Sequence, residues 1–214
     1  MNNHKLIRET ETKYLGVMLN EKLKWENHIK YITKKISRTY FILTKIRYYV
    51  NTKTLILIYN SLAYTYFNYC ICTWGGAPES ILKPLKTLQN KITRIITFSD
   101  YKAHSDPLYF KLNILRLKDI YELKLAIMIH KIHKGFKIDK TKNLTKIEHI
   151  HSHNTRLSKS HNYYTNFRKT NIGQSTPIIN GTKIWRNIPE DIKNSSTTCF
   201  KSKFTKILID KYSL

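Results

Sequence analysis

Apolar residues along this chain fall into runs of different period, and those runs predict the elements. Over 13–19 the stretch Lys-Tyr-Leu-Gly-Val-Met-Leu has the residue types and length of a strand, with Gly16 at its middle. It predicts a short buried strand in which Gly16 marks a bulge or a close backbone approach. Asn20-Glu21-Lys22 then reads as a turn. From 25 to 50 the period changes. Ile29, Ile32, Ile36, Tyr40 and Leu43 recur at spacings of 3, 4, 4 and 3, the apolar stripe of a long helix. Lys30, Lys34, Arg38 and Lys45 gather on nearly the opposite side, at about 100° per residue.

Residues 52–74 predict a second, more hydrophobic helix, with Thr52 as N-cap and Gly75-Gly76 as its stop. Its aromatics, Tyr59, Tyr64, Tyr66, Tyr69 and Trp74, read as core in preference to a base-stacking set. A third helix starts at Pro78, with Leu82, Leu85, Leu88, Ile92 and Ile95 or Ile96 inward and Lys83, Lys86, Lys91 and Arg94 outward. Short connections make 25–98 a three-helix bundle, with 13–19 as an unpaired strand beside it. After a polar connector and a short helix at 108–112, a fourth long helix over 117–133 is apolar around most of its circumference. It is expected to pack on the bundle.

Periodicity then fades. Residues 136–176 read as a basic, poorly ordered region carrying Arg156, Lys159, Arg168 and Lys169. Residues 173–184 have strand-and-turn chemistry around Pro177 and Asn180-Gly181, and Trp185 opens a helical turn. Ser195-Ser196 caps a last helix striped by Phe200, Phe204, Ile207 and Leu208. The expected class is mainly α: a thumb-like helical bundle with a short N-terminal strand and a small loop-rich α+β C-terminal region. Three units follow, at 1–20, 21–101 and 102–214.

Charge sharpens this picture. The 214 residues hold 38 Lys and Arg against 14 Asp and Glu, a net charge of +24. Such an excess points to a polyanion, most simply nucleic acid, with a membrane surface as the competing partner. Of the cations 30 are Lys and 8 are Arg, alongside much Ile, Asn and Tyr, so A/T-rich coding accounts for part of the excess. Three cysteines make no disulfide framework and suggest a reducing intracellular compartment, nucleus or cytoplasm. No signal peptide or membrane span is expected.

Catalytic patterns are sparse. Two-metal chemistry needs converging carboxylates, and Glu190-Asp191 is the one adjacent pair of acids. His149, His151 and His153 share a side if extended, His130 and His133 lie one helical turn apart, and Cys70 and Cys72 flank Ile71. None has zinc-site spacing in two clusters. There is no Gly-rich phosphate loop and no nucleophile elbow. No cofactor or metal is expected, and the chain reads as a non-enzyme. A His-dependent metal nuclease is the least favoured alternative. An inert or host-used helical interaction protein, its charge set by coding alone, is the stronger one.

Several landmarks in order resemble one family. Lys13-Tyr-Leu-Gly-Val17 with Leu23-x-Trp25-x-x-His28-Ile29 is similar to the primer grip and thumb entry of non-LTR retrotransposon reverse transcriptases. Ser61-Leu-x-Tyr64, Asn68-Tyr-Cys70, Trp74-Gly75, Leu88-Gln-Asn-Lys91, Arg94-Ile-Ile96 and Ala103-His104 continue the pattern. His151-Ser-His-Asn-Thr-Arg156, Asn171, Gly181-Thr-Lys-Ile-Trp185 with Ile188-Pro189, and Phe200-Lys201 resemble the family's terminal region. The resemblance implies that Tyr14, Leu15 and Gly16 hold a primer terminus. It implies that Lys30, Lys34, Arg38 and Lys45 contact the phosphates of RNA or an RNA/DNA duplex. The palm's catalytic aspartates have no counterpart in these residues. The expected role is therefore binding without catalysis, with a polymerase acting in trans as a further partner and no membrane involved.

Overall fold

A computed structural model describes residues 8–136, 144–145, 147, 162–164 and 168–213. The N-terminal element is a hairpin, not one strand: β1 (Glu11–Tyr14) and β2 (Val17–Asn20) pair antiparallel, Tyr14 opposite Val17 and Lys13 opposite Met18. Leu15 and Gly16 form the two-residue turn, both with positive φ (45° and 82°). That is the backbone a tight hairpin demands, and Gly supplies it without a Cβ penalty. Gly16 is thus a turn residue, not a mid-strand bulge, and the expected unpaired strand has a partner. Polar Glu11 and Thr12 hid that partner from the hydrophobic pattern. Nor is the element buried as expected, since only Val17 is in the core. The turn after β2 is as predicted: the Asn20 side-chain oxygen accepts from the amides of Lys22 and Lys24.

Helix α1 (Glu26–Ile46) buries Ile29, Ile32, Ile36, Thr39 and Leu43, the predicted stripe with Thr39 in the place of half-buried Tyr40. The next run is not one helix. It breaks into α2 (Thr52–Tyr59), a π-helical turn over Asn60–Tyr64, α3 (Thr65–Asn68) and α4 (Ile71–Trp74). The reason lies in the spacing. Leu55, Tyr59, Ala63, Phe67 and Ile71 are all buried and four residues apart. In an α-helix a four-residue step drifts by about 40°, and a π turn winds back part of that drift. Thr39 of α1 donates its hydroxyl to the Leu62 carbonyl within this turn. A second break falls at Cys70, in a left-handed conformation (φ 49°), and the Trp74 indole donates to the Tyr69 carbonyl across it. The N-cap is Asn51, accepting from the Thr54 amide, and not Thr52.

Helix α5 (Glu79–Thr97) packs along α1 with Leu82, Leu85, Leu88, Ile92 and Ile96 inward, as the pattern predicted. Helix α6 (Asp106–Leu112) leads to α7 (Leu117–His133), which touches α3, α4 and α5. Gln89 ties these layers together. Its amide donates to the Tyr59 hydroxyl and the Leu115 carbonyl, and its oxygen accepts from the Leu117 amide. Burial pushes the Tyr59 phenol well above its ordinary pKa, so it stays protonated in this network.

The C-terminal part is helical where strands were expected. After α8 (Asn171–Gln174), α9 (Pro177–Arg186) lies against α7. Pro177 opens α9 at its first turn, where a missing N–H costs nothing. Gly181 lets it approach: a Cβ there would sit 2.8 Å from Ile129 Cγ1. Close helix packing, not a hairpin turn, is therefore what this glycine serves. Trp185 closes α9 instead of opening a turn, and is fully buried. Then α10 (Glu190–Lys193) and α11 (Thr197–Asp210) follow, with Ser196 capping α11 through the Cys199 amide. Phe200, Phe204 and Leu208 face inward, and these apolar residues join those of α1–α7 in one core. Tyr212 is clamped by Asp119, which accepts its hydroxyl, and by Arg116, whose guanidinium lies 4.1 Å from the ring centre. Most of 136–176 lies outside the described residues.

Candidate nucleic-acid interface

Between Glu26 and Glu79 the sequence contains no carboxylate, while Lys30, Lys34, Lys35, Arg38, Lys45, Arg47 and Lys53 are all there. Packing of α1 on α5 turns part of this cationic surface into a groove. One section of about 510 Å³ is lined by Glu26, Ile29, Lys30, Thr33, Lys34, Ser37, Ser80, Ile81 and Pro84. It continues into a section of about 440 Å³, where Lys83, Thr87, Leu88 and Lys91 join. Lysines from two helices thus rim a floor of hydroxyls and aliphatic groups. The hydroxyls of Thr33 and Ser37 donate back to the Ile29 and Thr33 carbonyls, which fixes their rotamers. Acidic groups intrude little: Glu26 lines one end, and Glu79 is engaged by Lys86.

The site residues read from the sequence divide into three places. Lys30 and Lys34 enter the groove. Arg38 and Lys45 are exposed on α1 but do not line it, and the Lys45 ammonium sits 5.6 Å from the centre of the Phe41 ring. Tyr14, Leu15 and Gly16 form the hairpin tip, with Tyr14 63% and Leu15 71% exposed. Leu15 and Gly16 border a separate hollow of about 280 Å³ on the other flank of α1, walled by His28, Tyr31, Ile32, Thr65, Tyr66 and Tyr69. The His28 ring accepts the Met18 amide on Nδ1 (3.3 Å), which leaves the proton on a buried Nε2. Burial pushes the His28 imidazole below its ordinary pKa, so it stays neutral.

Sequence reasoning placed Lys83 and Lys91 outward but not in the site. Their side chains reach the same groove as Lys30 and Lys34 only because α5 lies against α1, and no periodicity states which helices touch. Lys86, outward in the same pattern, is instead paired with Glu79.

The other candidate chemistry resolves into structure. His130 stacks on Phe200 with ring centres 4.2 Å apart and bonds the Ser195 carbonyl through Nε2. His133 meets the Tyr163 hydroxyl. Glu190 binds Lys193 at 2.8 Å. Among the described residues no group of three His, Cys, Asp or Glu side chains is arranged to hold a metal ion, and His149, His151 and His153 lie outside them. No helix among the described residues is long and apolar enough to cross a membrane.

Over 126 residues, 57% of this chain, it is 27% identical to a probable RNA-directed DNA polymerase from transposon X-element of Drosophila melanogaster. Over 115 residues, 51% of the chain, it is 30% identical to the corresponding protein of transposon BS from the same fly. These matches span only 13% and 12% of the two relatives' own lengths. No protein-family model and no solved structure matches the chain. The motif landmarks and these two alignments agree: the chain is related to the RNA-directed DNA polymerases of transposons.

Proposed function

We propose that this protein binds the sugar–phosphate backbone of RNA or an RNA/DNA duplex along the groove between α1 and α5, as a thumb-like element. The observation that carries the reading is the groove itself. Lys30 and Lys34 from one helix line its first section and Lys83 and Lys91 from another its second, with the small hydroxylated side chains of Thr33, Ser37 and Ser80 common to both. Lysine ammonium groups meet phosphates as point charges and need no fixed geometry, which suits contact without sequence readout. Similarity to RNA-directed DNA polymerases supports nucleic acid as the polyanion. On this reading residues 21–101 form the binding body, and the chain contributes contact and not chemistry. A polymerase working with it would supply the catalytic step.

The test is fluorescence anisotropy on a labelled RNA/DNA hybrid over a range of KCl. Binding should weaken steeply with salt, with log K falling by about 0.9 per phosphate contact per decade. Replacing Lys30, Lys34, Lys83 and Lys91 together by Ala should flatten that slope by roughly 3 to 4. Affinity that ignores salt, or that survives the fourfold variant unchanged, would leave the charge without a binding role and return the chain to the interaction-protein reading.

A further inference from the structure

The cationic face of α1 does not end in charge. Lys30, Lys34, Arg38, Phe41, Lys45 and Tyr48 follow one another at intervals of 4, 4, 3, 4 and 3 residues, and every one is exposed. At 100° per residue the five on α1 fall within about 80° of arc, opposite the buried stripe, and Tyr48 follows in the turn just past the helix end. Cations and aromatics therefore interleave along a single line. At its C-terminal end the line reaches a cluster built where two helices end, from Arg47 and Tyr48 just past α1 and Phe98 just past α5. The rings of Tyr48, 76% exposed, and Phe98, 46% exposed, meet edge to face with centres 6.0 Å apart. The Arg47 guanidinium lies 5.0 Å from the centre of the first and 4.6 Å from the second. Phe98 is held out at the end of α5 by a left-handed backbone, φ 55°, that bulky residues rarely adopt. Among the described residues no carboxylate pairs with Arg47. The nearest acid along the chain from Phe98, Asp100, accepts the Lys102 amide.

We infer that Arg47, Tyr48 and Phe98 form a stacking platform for an unpaired nucleobase, placed where single-stranded nucleic acid runs off the lysine face of α1. The inference rests on reading that face as a nucleic-acid surface. A bare aromatic pair would suit an apolar partner or a second copy equally well. A guanidinium lodged against both rings, at the end of a line of cations and with no acid paired to it, favours an anionic strand whose bases have flat π faces. Phosphates would lie along Lys34, Arg38 and Lys45, with a base presented to the rings.

The experiment uses the full chain and two probes: a single-stranded oligonucleotide carrying 2-aminopurine, and a blunt RNA/DNA hybrid without overhangs. Stacking should quench 2-aminopurine fluorescence on binding. Tyr48→Ala with Phe98→Ala should abolish the quenching and weaken single-strand binding roughly 5- to 100-fold, while hybrid affinity stays within about twofold. Tyr48→Leu with Phe98→Leu should fail to restore it, since leucine keeps apolar area but has no ring face. Circular dichroism and a thermal melt check that both double variants fold. Three results would overturn the platform: no quenching by the wild-type chain, full rescue by leucine, or loss of a dimer with nucleotide binding intact. Hybrid binding that persists without quenching sinks the platform alone. Absence of salt-dependent binding to either probe sinks the groove reading with it.

Discussion

The Tyr69 hydroxyl donates a 2.5 Å hydrogen bond to the carbonyl of Leu15, across 54 residues of sequence. This bond joins the break between α3 and α4 to the tip of the N-terminal hairpin. A Cβ at Gly16 would meet the same tyrosine ring at 3.5 Å. The hairpin tip and the break between α3 and α4 are therefore in direct contact.

Tyr69→Phe should leave the bundle intact, because the ring is half exposed and its loss of one hydroxyl opens no cavity. The hairpin should loosen instead. Hydrogen exchange at the paired amides of β1 and β2 should quicken, with little change in α1 or α5. Equal quickening throughout the chain would show that the bond supports the whole fold and not the hairpin alone.

Lysines on α1 and α5 should not be equivalent. Lys83→Ala and Lys91→Ala should each weaken hybrid binding more than Lys45→Ala, since Lys45 lies outside the groove. A ranking with Lys45 first, read from single-variant titrations at one fixed salt, would restore the outer face of α1 as the main duplex contact.

Gln89 offers a test of the core. Only 1% exposed, it satisfies the Tyr59 hydroxyl, the Leu115 carbonyl and the Leu117 amide at once. Gln89→Leu keeps most of its volume and strands those partners. Each buried group left without a hydrogen bond costs about 1–3 kcal/mol, so a total on the order of 3 kcal/mol is expected from urea unfolding. A loss well below 1 kcal/mol would mean that the three partners find replacements.

Acid should weaken the fold through its histidines. Burial depresses the pKa of both His28 and His130 below their ordinary value of about 6.5. Protons then bind the unfolded chain more readily, and stability present above about 6.5 is lost as pH falls through the folded values. Glu122 acts in the opposite sense at lower pH, because burial raises its carboxyl. Urea midpoints should therefore drop from pH 7.5 to 6. Met18 should lose amide protection only at lower pH, as pH falls through the depressed folded value of His28, since a protonated His28 cannot accept its N–H. A flat midpoint across that interval would exclude the coupling.

Helices with one apolar face were legible in the sequence. The stripes of α1 and α5, the extent of α7 and the Ser196 cap follow from spacing and side-chain chemistry alone. What escaped depends on neighbours. Glu11 and Thr12 look like loop until Asn20 and Leu19 pair with them. Asn180-Gly181 carries turn chemistry, yet the close approach of Ile129 makes the glycine a packing residue. The run 52–74 reads as one helix because hydrophobicity does not register that a four-residue repeat outruns an α-helix. The candidate groove was half legible: Lys30 and Lys34 came from the pattern, and Lys83 and Lys91 only from the pairing of α1 with α5.

The long interval without a carboxylate has a consequence for the folded chain by itself. Seven cations between Glu26 and Glu79 have no acid within that interval to answer them, so folding draws like charges together. Dissolved ions relieve this repulsion, and so does a bound polyanion. Added salt should act with opposite signs on two properties of one surface, steadying the empty fold while loosening its grip on a strand. A nucleic acid seated in the groove would then act as the missing half of the protein's own electrostatics.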